Sequence, residues 1–322
     1  MKILNAEPDG YPEEAKHILS EFGHLTSYHC NRTELMKEIV DTDILITRLG
    51  NFLDAEILNK AKSLRVIVSA TTGTNHIDLK LANLKKIQVL TLKGENEFLR
   101  SITATAEHTW CLLLSLLRNL VSASESVKSG YWSRDSYIGT QLSGKTIGII
   151  GFGRLGRIIA EYGRAFRMKV LYFDPYIFEV NDLAEKVDFS TLLAISDVVT
   201  VHVSYSGLTH HLINYSAFNL MKPSAVLINT SRGEIINEAA LLSSLEDGLI
   251  AGAAIDVLDN EVNIEAERLR YHPLVKFSQK SSNLIITPHI GGATSESMES
   301  VEIFMAQKTA RYLQSLQLNP KR

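Results

Sequence analysis

Three polar side chains in the second half of the chain follow short apolar runs, and their chemical types suit catalysis. Arg232, Glu261 and His289 each come shortly after a run that is typical of a buried strand. A histidine suits proton transfer because its pKa lies near neutrality, and a neighbouring carboxylate orients the ring and stabilises its protonated form. A guanidinium grips a carboxylate with two hydrogen bonds. Taken singly, each has a plainer explanation, namely a surface ion pair, a solvated loop acid or a packed histidine.

A glycine motif near the middle of the chain predicts a phosphate cradle. Gly151, Gly153 and Gly156 have G-x-G-x-x-G spacing, after a β-branched run at 146–150 and before an amphipathic helical segment at 157–167. The first glycine permits a tight turn, the second lets backbone approach a pyrophosphate, and the third lets helix and strand pack closely. The helix N-terminus then offers free N–H groups and the positive end of its dipole.

A carboxylate further along the chain makes this motif more specific. The strand predicted over 169–173 ends at Asp174, 18 residues after Gly156, where a dinucleotide fold places the acid that holds the ribose hydroxyls. An ordinary strand pair with incidental glycines would not require this acid. Because a carboxylate repels a 2′-phosphate and no Arg follows it, the sequence favours NAD over NADP.

The polar residues and the glycine motif together indicate a redox reaction. Ligands of open α/β sheets bind outside the carboxyl ends of the strands, so Arg232, Glu261 and His289 are expected beside the nicotinamide end of a bound cofactor. Hydride transfer between an alcohol and NAD requires a base for the hydroxyl proton, which His289 would supply. An anionic or carbonyl substrate requires a cation, which Arg232 would supply.

Alternating strand and helix patterns surround these residues and predict parallel sheets covered on both faces. Before residue 98, strands are predicted at 2–6, 25–29, 44–47, 66–69 and 89–92, with helices near 11–22, 32–40, 54–60 and 78–84. An apolar helix is predicted over 103–120, followed by a polar arm at 121–143. After Asp174, strands are predicted at 198–203, 225–230, 252–257 and 284–287, with helices near 216–220, 238–246 and 294–318.

Composition excludes several classes of protein. The chain has 322 residues, 45% of them hydrophobic and 21% charged, which is ordinary for about two globular domains. A formal net charge of −3 without a basic block argues against a nucleic-acid partner, and no apolar run reaches transmembrane length. Two cysteines without metal spacing and a start that lacks a signal peptide's apolar core predict a cytoplasmic protein without a metal.

Several ordered motifs carry a family resemblance over almost the whole chain. The chain resembles the D-isomer-specific 2-hydroxyacid dehydrogenases, and within them the D-3-phosphoglycerate dehydrogenase-like branch. The motifs are Thr71-Thr-Gly-Thr-Asn-His-Ile-Asp, Ala106-Glu, the glycine motif with Asp174, Met221-Lys-Pro-x-Ala-Val-Leu-Ile-Asn-Thr-Ser-Arg-Gly, Gly252-Ala-Ala-Ile-Asp-Val and Thr287-Pro-His-Ile-Gly-Gly.

The resemblance implies an NAD-dependent oxidoreductase that interconverts a D-2-hydroxy acid and its 2-oxo acid, with D-3-phosphoglycerate or a related anion as a possible substrate. His289 would be the general acid/base, Glu261 its partner, and Arg232 the residue that binds the substrate and polarises its carbonyl. Asp256 would contact the nicotinamide carboxamide. The remaining cofactor-binding residues would be Thr72, Gly151, Gly153, Arg154, Leu155, Gly156, Asp174, His202, Val203, Thr230 and Gly292, and the substrate-binding residues Arg48, Gly73, Thr74 and Arg232.

The resemblance also implies an architecture of two doubly wound parallel-sheet α/β domains with a cleft between them. Residues 1–100 and 290–322 would form a flavodoxin-like, substrate-binding domain, and residues 101–289 a Rossmann NAD-binding domain. The subunit would form a homodimer through the nucleotide domain and the arm at 121–143. No partner beyond the small-molecule acid, and neither nucleic acid nor membrane, is implied.

One segment departs from the family pattern. About five residues look additional in Gly94–Ile102, and we expect them at the mouth of the cleft. Phe98 and Arg100 would then help to shape the substrate pocket, although a longer crossover loop without a ligand role explains the same residues. Arg48 matches a basic position of phosphoglycerate-type members, but a solvated loop Arg is an equally good explanation.

Three other functions remain open from the sequence alone. Relatives of this fold include NAD-sensing binding proteins and corepressors, so the fold does not by itself establish catalysis. Formate or phosphite oxidation uses the same fold, but the formate branch typically replaces the catalytic glutamate, and Glu261 argues against it. The adjacent histidines His210 and His211 are a weak metal motif because no cluster of acids accompanies them.

Overall fold

The computed structural model describes residues 1–178, 182–261 and 266–318. The chain folds into two compact units. Unit 1 comprises Met1–Ile102 and Ala293–Arg322, and unit 2 comprises Thr103–Gly292. The sequence placed these boundaries near residues 100 and 290.

Unit 1 is built on a five-stranded parallel sheet with the order β2-β1-β3-β4-β5. The reversal of strand order between β1 and β3 is the flavodoxin-like switch point. Its strands are β1 (Lys2–Asn5), β2 (His24–Ser27), β3 (Ile44–Thr47), β4 (Val66–Ser69) and β5 (Gln88–Thr91). β3 and β4 are buried along their whole length, as expected of central strands covered on both faces.

Helices cover both faces of this sheet. They are α1 (Glu13–Ser20), α2 (Arg32–Glu38), α3 (Ala55–Lys60), α4 (Leu79–Leu84), α5 (Asn96–Leu99) and, from the end of the chain, α14 (Ser295–Leu318). Capping residues define several of the starts: Asn31 and Glu34 form a capping box at α2, and the Asp54 carboxylate accepts backbone N–H bonds at α3. α1 and α14 pack together, and Leu19 and Met305 belong to one buried core.

Unit 2 is built on a seven-stranded parallel sheet with the order β12-β11-β10-β9-β6-β7-β8. This is the Rossmann order with an additional strand, and its switch point lies between β6 and β9. Its strands are β6 (Thr146–Ile150), β7 (Lys169–Phe173), β8 (Glu185–Lys186), β9 (Val198–Val201), β10 (Val226–Asn229), β11 (Gly252–Ile255) and β12 (Leu284–Ile286).

The helices of unit 2 are α6 (Ala104–Leu117), α7 (Leu120–Lys128), α8 (Arg154–Ala165), α9 (Phe189–Ile195), α10 (Tyr215–Leu220), α11 (Glu238–Glu246), α12 (Ala266–Leu269) and α13 (Pro273–Ser278). The apolar helix α6 packs on β10, β11, β12 and α8. Trp110 of α6 stacks on Phe166 with ring centroids 4.7 Å apart. α6 is therefore part of the core of unit 2, and its polar residues reach the carboxyl ends of the central strands.

The predicted fold class of two parallel-sheet α/β domains is confirmed, and the local differences have simple causes. Helix α8 begins at Arg154 rather than near Arg157, because Gly153 is itself the N-cap residue. Part of the predicted arm is helix α7, which has nine residues and buries none of them. No helix in the described ranges combines the length and the apolar character that crossing a bilayer demands.

Candidate active site

The glycine turn of unit 2 is shaped by close backbone contacts. Gly151 has φ +93°, and a Cβ there would lie 2.6 Å from the carbonyl oxygen of His202. A Cβ on Gly156 would lie 2.2 Å from the carbonyl oxygen of Gly151. Both positions therefore require glycine, one for its conformation and both for space.

The space in front of this turn fits a pyrophosphate. A Cβ on Gly153 would meet nothing within 4 Å, so the backbone is open at the N-terminus of α8. Gly153 has no side chain with which to cap that terminus, where the first N–H groups of a helix lack helical acceptors. Arg154 and Leu155 form the first turn of α8, and burial lowers the pKa of Arg154. The residues present therefore fit a dinucleotide here.

The carboxylate predicted for ribose recognition joins the end of β7 to this turn. Asp174 Oδ2 accepts a hydrogen bond from the Phe152 N–H at 2.9 Å, and Oδ1 accepts one from the Tyr176 N–H at 2.9 Å. Each carboxylate oxygen has a second lone pair. Asp174 can therefore hold the turn and still accept hydrogen bonds from two ribose hydroxyls.

A neutral histidine lines the other side of the switch point. His202 follows β9, and its Nε2 lies 2.8 Å from the Thr200 hydroxyl. Burial lowers the pKa of His202 to about 3, so the ring is neutral over the physiological pH range. The Val203 side chain would contact a Cβ on Gly151, so the two residues after β9 form a wall against the glycine turn.

Arg232 leaves β10 through a turn that a buried amide holds. The Asn229 side chain, fully buried, donates to the Arg232 carbonyl at 2.9 Å and accepts from the Ser231 N–H at 3.0 Å. Burial lowers the pKa of Arg232, while the charges of Glu261 and Glu234 act to raise it. Arg232 therefore lies within electrostatic range of Glu261. The guanidinium donates to the Ser231 carbonyl at 2.6 Å.

Thr230, which follows Asn229 at the end of β10, is hydrogen-bonded to helix α6. Its hydroxyl lies 2.8 Å from the Thr109 hydroxyl, which in turn donates to the Thr105 carbonyl at 2.7 Å. Because Thr109 gives its proton to Thr105, Thr230 is the donor to Thr109. Helix α6 thus supports the strand end that carries Arg232.

Glu261 and His289 form a hydrogen-bonded pair. Glu261 Oε1 faces His289 Nδ1, and Glu261 Oε2 accepts from the Leu258 N–H at 3.2 Å. The side chains are 27% and 23% exposed, so the pair is partly shielded but accessible to a ligand. With the proton on Nδ1, Nε2 is the free ring nitrogen, and no described residue bonds to it.

His289 lies in an unusual backbone conformation. Its φ of +54° is left-handed, a region that residues other than glycine enter rarely. Its N–H donates to the Asp256 carbonyl at 2.8 Å and to the Thr287 carbonyl at 3.0 Å. Strained backbone of this kind persists only where surrounding contacts hold it, and it is concentrated at functional sites.

The Asp256 carboxylate provides most of those contacts. It accepts from the Thr287 hydroxyl at 2.6 Å, the Ile290 N–H at 2.9 Å and the Gly291 N–H at 2.7 Å, and His108 Nε2 lies 3.2 Å away. Burial acts to raise the pKa of Asp256, but these hydrogen bonds outweigh burial and lower it. Asp256 is 1% exposed and is thus an internal anchor of the turn that carries His289. Gly292, which follows this turn, is exposed.

In unit 1, a chain of hydroxyl groups holds the predicted carboxylate-binding loop. The Ser69 hydroxyl lies 3.0 Å from the Thr71 hydroxyl and 3.1 Å from His76 Nε2, and Thr71 donates to the Gly73 carbonyl at 2.7 Å. Thr72 is exposed, and Gly73 and Thr74 are half-buried. The backbone of 72–74 is therefore ordered at the carboxyl edge of the five-stranded sheet.

Arg48, predicted to bind substrate, is not a free cation. Its Nε donates to Glu302 at 2.6 Å, and its Nη1 donates to the Asp9 carbonyl at 2.9 Å. Burial raises the pKa of Glu302, and the charge of Arg48 opposes that rise. The sequence could not reveal this pairing because 254 residues separate the partners.

The additional segment 94–102 contains helix α5, and its two candidate residues differ. The Phe98 ring stacks on Phe304 with centroids 4.0 Å apart and packs against the core of unit 1. This contact assigns Phe98 to packing rather than to a pocket wall. Arg100 is exposed.

The rings of His210 and His211 stack with centroids 3.8 Å apart. Within residues 1–178, 182–261 and 266–318, no group of three His, Cys, Asp or Glu side chains is arranged to hold a metal ion.

The structure thus brings Arg232, Glu261 and His289 together in unit 2 and adds supporting residues that the sequence did not predict. These are His108, Asn229 and Thr287. A histidine on the largely apolar helix α6 was the available signal for His108, and an Asn at a strand end was the signal for Asn229. Arg48, Arg100 and Thr72–Thr74 belong to unit 1.

Comparison with known proteins is consistent with these features. The family model for the D-isomer specific 2-hydroxyacid dehydrogenase, NAD binding domain, matches residues 110–291. The chain is 36% identical over 314 residues to a D-3-phosphoglycerate dehydrogenase of Archaeoglobus fulgidus, covering 95% of this chain but 56% of that protein. It is 34% identical to a hydroxypyruvate reductase of Thermotoga maritima over 95% of this chain and 96% of that protein.

A solved structure agrees with the fold of the whole chain. The D-lactate dehydrogenase from Aquifex aeolicus, in complex with NAD and lactic acid, superposes with a TM-score of 0.85 at 28% identity, covering 98% of this chain and 96% of that one. The expectation of NAD as the cofactor is confirmed. As its motifs predict, the chain belongs to the D-isomer specific 2-hydroxyacid dehydrogenases, a family of NAD-binding oxidoreductases.

Proposed function

We propose that this chain catalyses the NAD-dependent interconversion of a D-2-hydroxy acid and its 2-oxo acid. By name, the three relatives described above act on phosphoglycerate, hydroxypyruvate and lactate, which share this chemical class. Unit 2 is the NAD-binding domain in this proposal, and unit 1 the domain that selects the substrate.

The observation that carries the proposal is the Glu261–His289 pair. Glu261 faces Nδ1 of His289, so Nε2 is the nitrogen that can exchange a proton with a ligand. A carboxylate in this position stabilises the charged ring and fixes its tautomer. The same strand edge presents a guanidinium, Arg232, within electrostatic range. A base, its orienting acid and a cation together suit the oxidation of a hydroxy acid.

The residues would act as follows. In oxidation, His289 Nε2 removes the proton from the C2 hydroxyl, and Glu261 stabilises the resulting charge. In reduction, protonated His289 returns that proton to the carbonyl oxygen. Arg232 binds the carboxylate and polarises the carbonyl. Bound NAD, held by the Gly151–Gly156 turn, Asp174 and the residues after β9, supplies the hydride acceptor or donor.

The proposal is tested by replacing the base. We expect His289→Asn to lower kcat by about 10²- to 10⁴-fold, the usual contribution of a positioned general acid/base. His210→Asn, a change of an exposed histidine in the same unit, is the matched control and should keep full activity. A His289→Asn protein with near-normal kcat would exclude this assignment.

The pH dependence gives a second test. Oxidation requires neutral His289 and reduction requires its protonated form, so the two pH–rate profiles should slope in opposite directions. Parallel profiles in the two directions would contradict the role of His289.

An NAD-sensing binding protein or corepressor is the second function that the sequence left open. A protein that only binds NAD has no need of a base, an orienting acid and a cation at one strand edge, so the site favours an enzyme. NADH consumption with a panel of 2-oxo acids separates the two functions. Absence of turnover with the whole panel would favour the binding protein.

We also propose a homodimer through α7 and the segment that follows it. Val121 on α7 is 52% exposed, and Tyr131, Trp132 and Ile138 are 70%, 89% and 78% exposed. A cluster of large exposed apolar side chains on one segment is typical of a protein interface. Light scattering should give twice the chain mass, and Trp132→Asp should shift it to the monomer.

A cytoplasmic location is part of the proposal. Cys30, buried in unit 1, and Cys111, exposed on α6, are both free thiols. Reduced cysteines are typical of the cytosol. Fractionation of cells that express the protein provides the test.

A further inference from the structure

Two loops leave the carboxyl edge of the five-stranded sheet side by side. Thr47, the last residue of β3, pairs with Ser69, the last residue of β4, and the two chains meet again at the bridge between Leu53 and Ile77. Arg48 therefore begins a loop that runs alongside the loop 70–76. This edge adjoins the switch point between β1 and β3, where ligands of such sheets bind.

Two of the three nitrogens of the guanidinium at this edge donate hydrogen bonds inside unit 1. Arg48 Nε donates to the Glu302 carboxylate at 2.6 Å, and the Glu302 side chain is 2% exposed. Nη1 donates to the Asp9 carbonyl at 2.9 Å. Nη2 is buried and has no hydrogen-bond partner among the described residues. The charge of Arg48 is therefore paired with Glu302, and its unpartnered Nη2 is closed to solvent.

A second carboxylate holds the same loop. Glu7 accepts from the Thr47 hydroxyl at 2.6 Å, the Gly50 N–H at 3.0 Å and the Asn51 amide at 3.3 Å. Its charge acts on Glu302. Two carboxylates and one guanidinium give the group Glu7, Arg48 and Glu302 a net charge of −1.

The other cations near this edge do not reverse that balance. Lys308 on α14 is bound to Glu95 at 2.6 Å and to the Thr91 carbonyl at 2.8 Å. Lys93 and Arg100, on the chain that leaves β5, are exposed, so solvent and salt screen their charges.

We propose that Glu302, by neutralising Arg48, makes this chain selective for 2-hydroxy and 2-oxo acids whose side chain carries no phosphate or other second negative charge. This inference rests on the proposed dehydrogenase function and narrows its substrate class. Glu302 is a specificity-determining residue in this scheme, and it takes no part in the chemical step.

The expected selectivity follows from the buried ion pair between Arg48 and Glu302. Arg48 cannot turn toward a phosphate without leaving the Glu302 carboxylate buried and unpaired, which is strongly unfavourable. A phosphate that approached without Arg48 would meet the net negative group and be repelled. A hydrogen, methyl or hydroxymethyl side chain meets neither difficulty.

The test compares hydroxypyruvate with its 3-phosphorylated form in the presence of NADH. We expect the wild type to prefer the unphosphorylated acid at least about 10-fold in kcat/KM. Glu302→Gln, which keeps the shape and removes the charge, should raise the relative kcat/KM for the phosphorylated acid about 10-fold. Glu299→Gln, an exposed acid on the same helix, is the matched control and should leave the ratio unchanged.

A binding measurement keeps the two proposals separate. D-Glycerate and D-3-phosphoglycerate are titrated calorimetrically into the protein with NADH, a mixture in which no turnover occurs. We expect tighter binding of D-glycerate in the wild type. If no oxo acid is reduced, the proposed function fails, and this comparison still decides the substrate class.

Two results would overturn the inference. One is a wild type that uses or binds the phosphorylated acid as well as the unphosphorylated acid, and this measurement needs no variant. The other is a folded Glu302→Gln protein, verified by its thermal transition, with an unchanged ratio between the two acids.

Discussion

Asp256 is expected to control catalysis through the turn that carries His289. Its carboxylate accepts from the Thr287 hydroxyl and from the Ile290 and Gly291 N–H groups, and its carbonyl accepts from the His289 N–H. Asp256→Asn keeps the volume but replaces one acceptor oxygen with a donor. The new NH2 group must then face either the Gly291 N–H, which now bonds to Oδ2, or the Thr287 hydroxyl and Ile290 N–H, which now bond to Oδ1.

The magnitude follows from these contacts. A buried donor without an acceptor costs about 1–3 kcal/mol, and bonds to a charged acceptor lie at the upper end. Holding His289 at φ +54° costs a comparable amount, about 1–3 kcal/mol. The loss of one Asp256 hydrogen bond is therefore enough to let this backbone relax to another conformation. A loss of about 2–3 kcal/mol in the productive conformation corresponds to a fall in kcat of about 30- to 150-fold.

The assay measures kcat with a 2-oxo acid and NADH, and NADH affinity by fluorescence. If Asp256 acts through the turn, kcat falls and the Kd for NADH changes less than about threefold. A direct contact with the nicotinamide carboxamide, which the family resemblance implies, predicts instead that the Kd rises. Asp259→Asn is the matched control because, among the described residues, that carboxylate has one ion-pair contact, at 3.9 Å to His211. An Asp256→Asn protein with wild-type kcat would refute the reasoning.

Three further outcomes are expected. Gly156→Ala should weaken NADH binding and lower Tm because its Cβ would lie 2.2 Å from a carbonyl oxygen, whereas Gly153→Ala, which meets nothing within 4 Å, should weaken binding with Tm unchanged. Because the pKa of His202 is about 3 in the folded chain, only the unfolded chain binds this proton between pH 6.5 and 3. The free energy of unfolding therefore decreases as the pH is lowered through that range. When the pH is lowered from 8 to 4.5, the free energy of unfolding of His202→Asn, measured by urea titration, should therefore decrease by about 2–3 kcal/mol less than that of the wild type. Equal decreases in the two proteins would contradict this. Arg232→Lys should lower kcat/KM about 100-fold by losing the two-point grip on a carboxylate, and a change below threefold would exclude that role.

Local sequence patterns predicted the central strands and some helices with accurate bounds. Ile44–Thr47 and Val66–Ser69 are β-branched runs between polar turns, and both match the observed strands. Such strands are buried on both faces, so a continuous apolar run is their direct consequence. Helix α11 likewise matches the predicted range, with Asn237 as its capping residue.

Elements with weak local signals were not predicted. Strand β8 has two exposed residues, and helix α9 has seven residues in a short apolar segment. Helix α7 buries none of its nine residues in the core of unit 2. These elements depend on neighbours in the fold rather than on their own sequence pattern.

In the candidate site, too, the residues that local sequence reveals were predicted, and the contacts between distant segments were not. Arg232, Glu261 and His289 were identified because each follows a strand, a position that local sequence reveals. The partners of the site are distant along the chain: His108 and Thr287 are 179 residues apart, and Arg48 and Glu302 are 254 apart. No local pattern encodes such contacts, so the support of His289 and the neutralisation of Arg48 required the structure.

The two cysteines differ in accessibility, so the chain has a natural position for a spectroscopic label. Burial raises the pKa of Cys30, which slows its reaction with alkylating reagents, whereas Cys111 is exposed on α6. Cys111 lies three residues from His108, on the adjacent turn of the same helix. A fluorine label attached there, without any engineered residue, would report by NMR on the turn that Asp256 anchors as ligands bind.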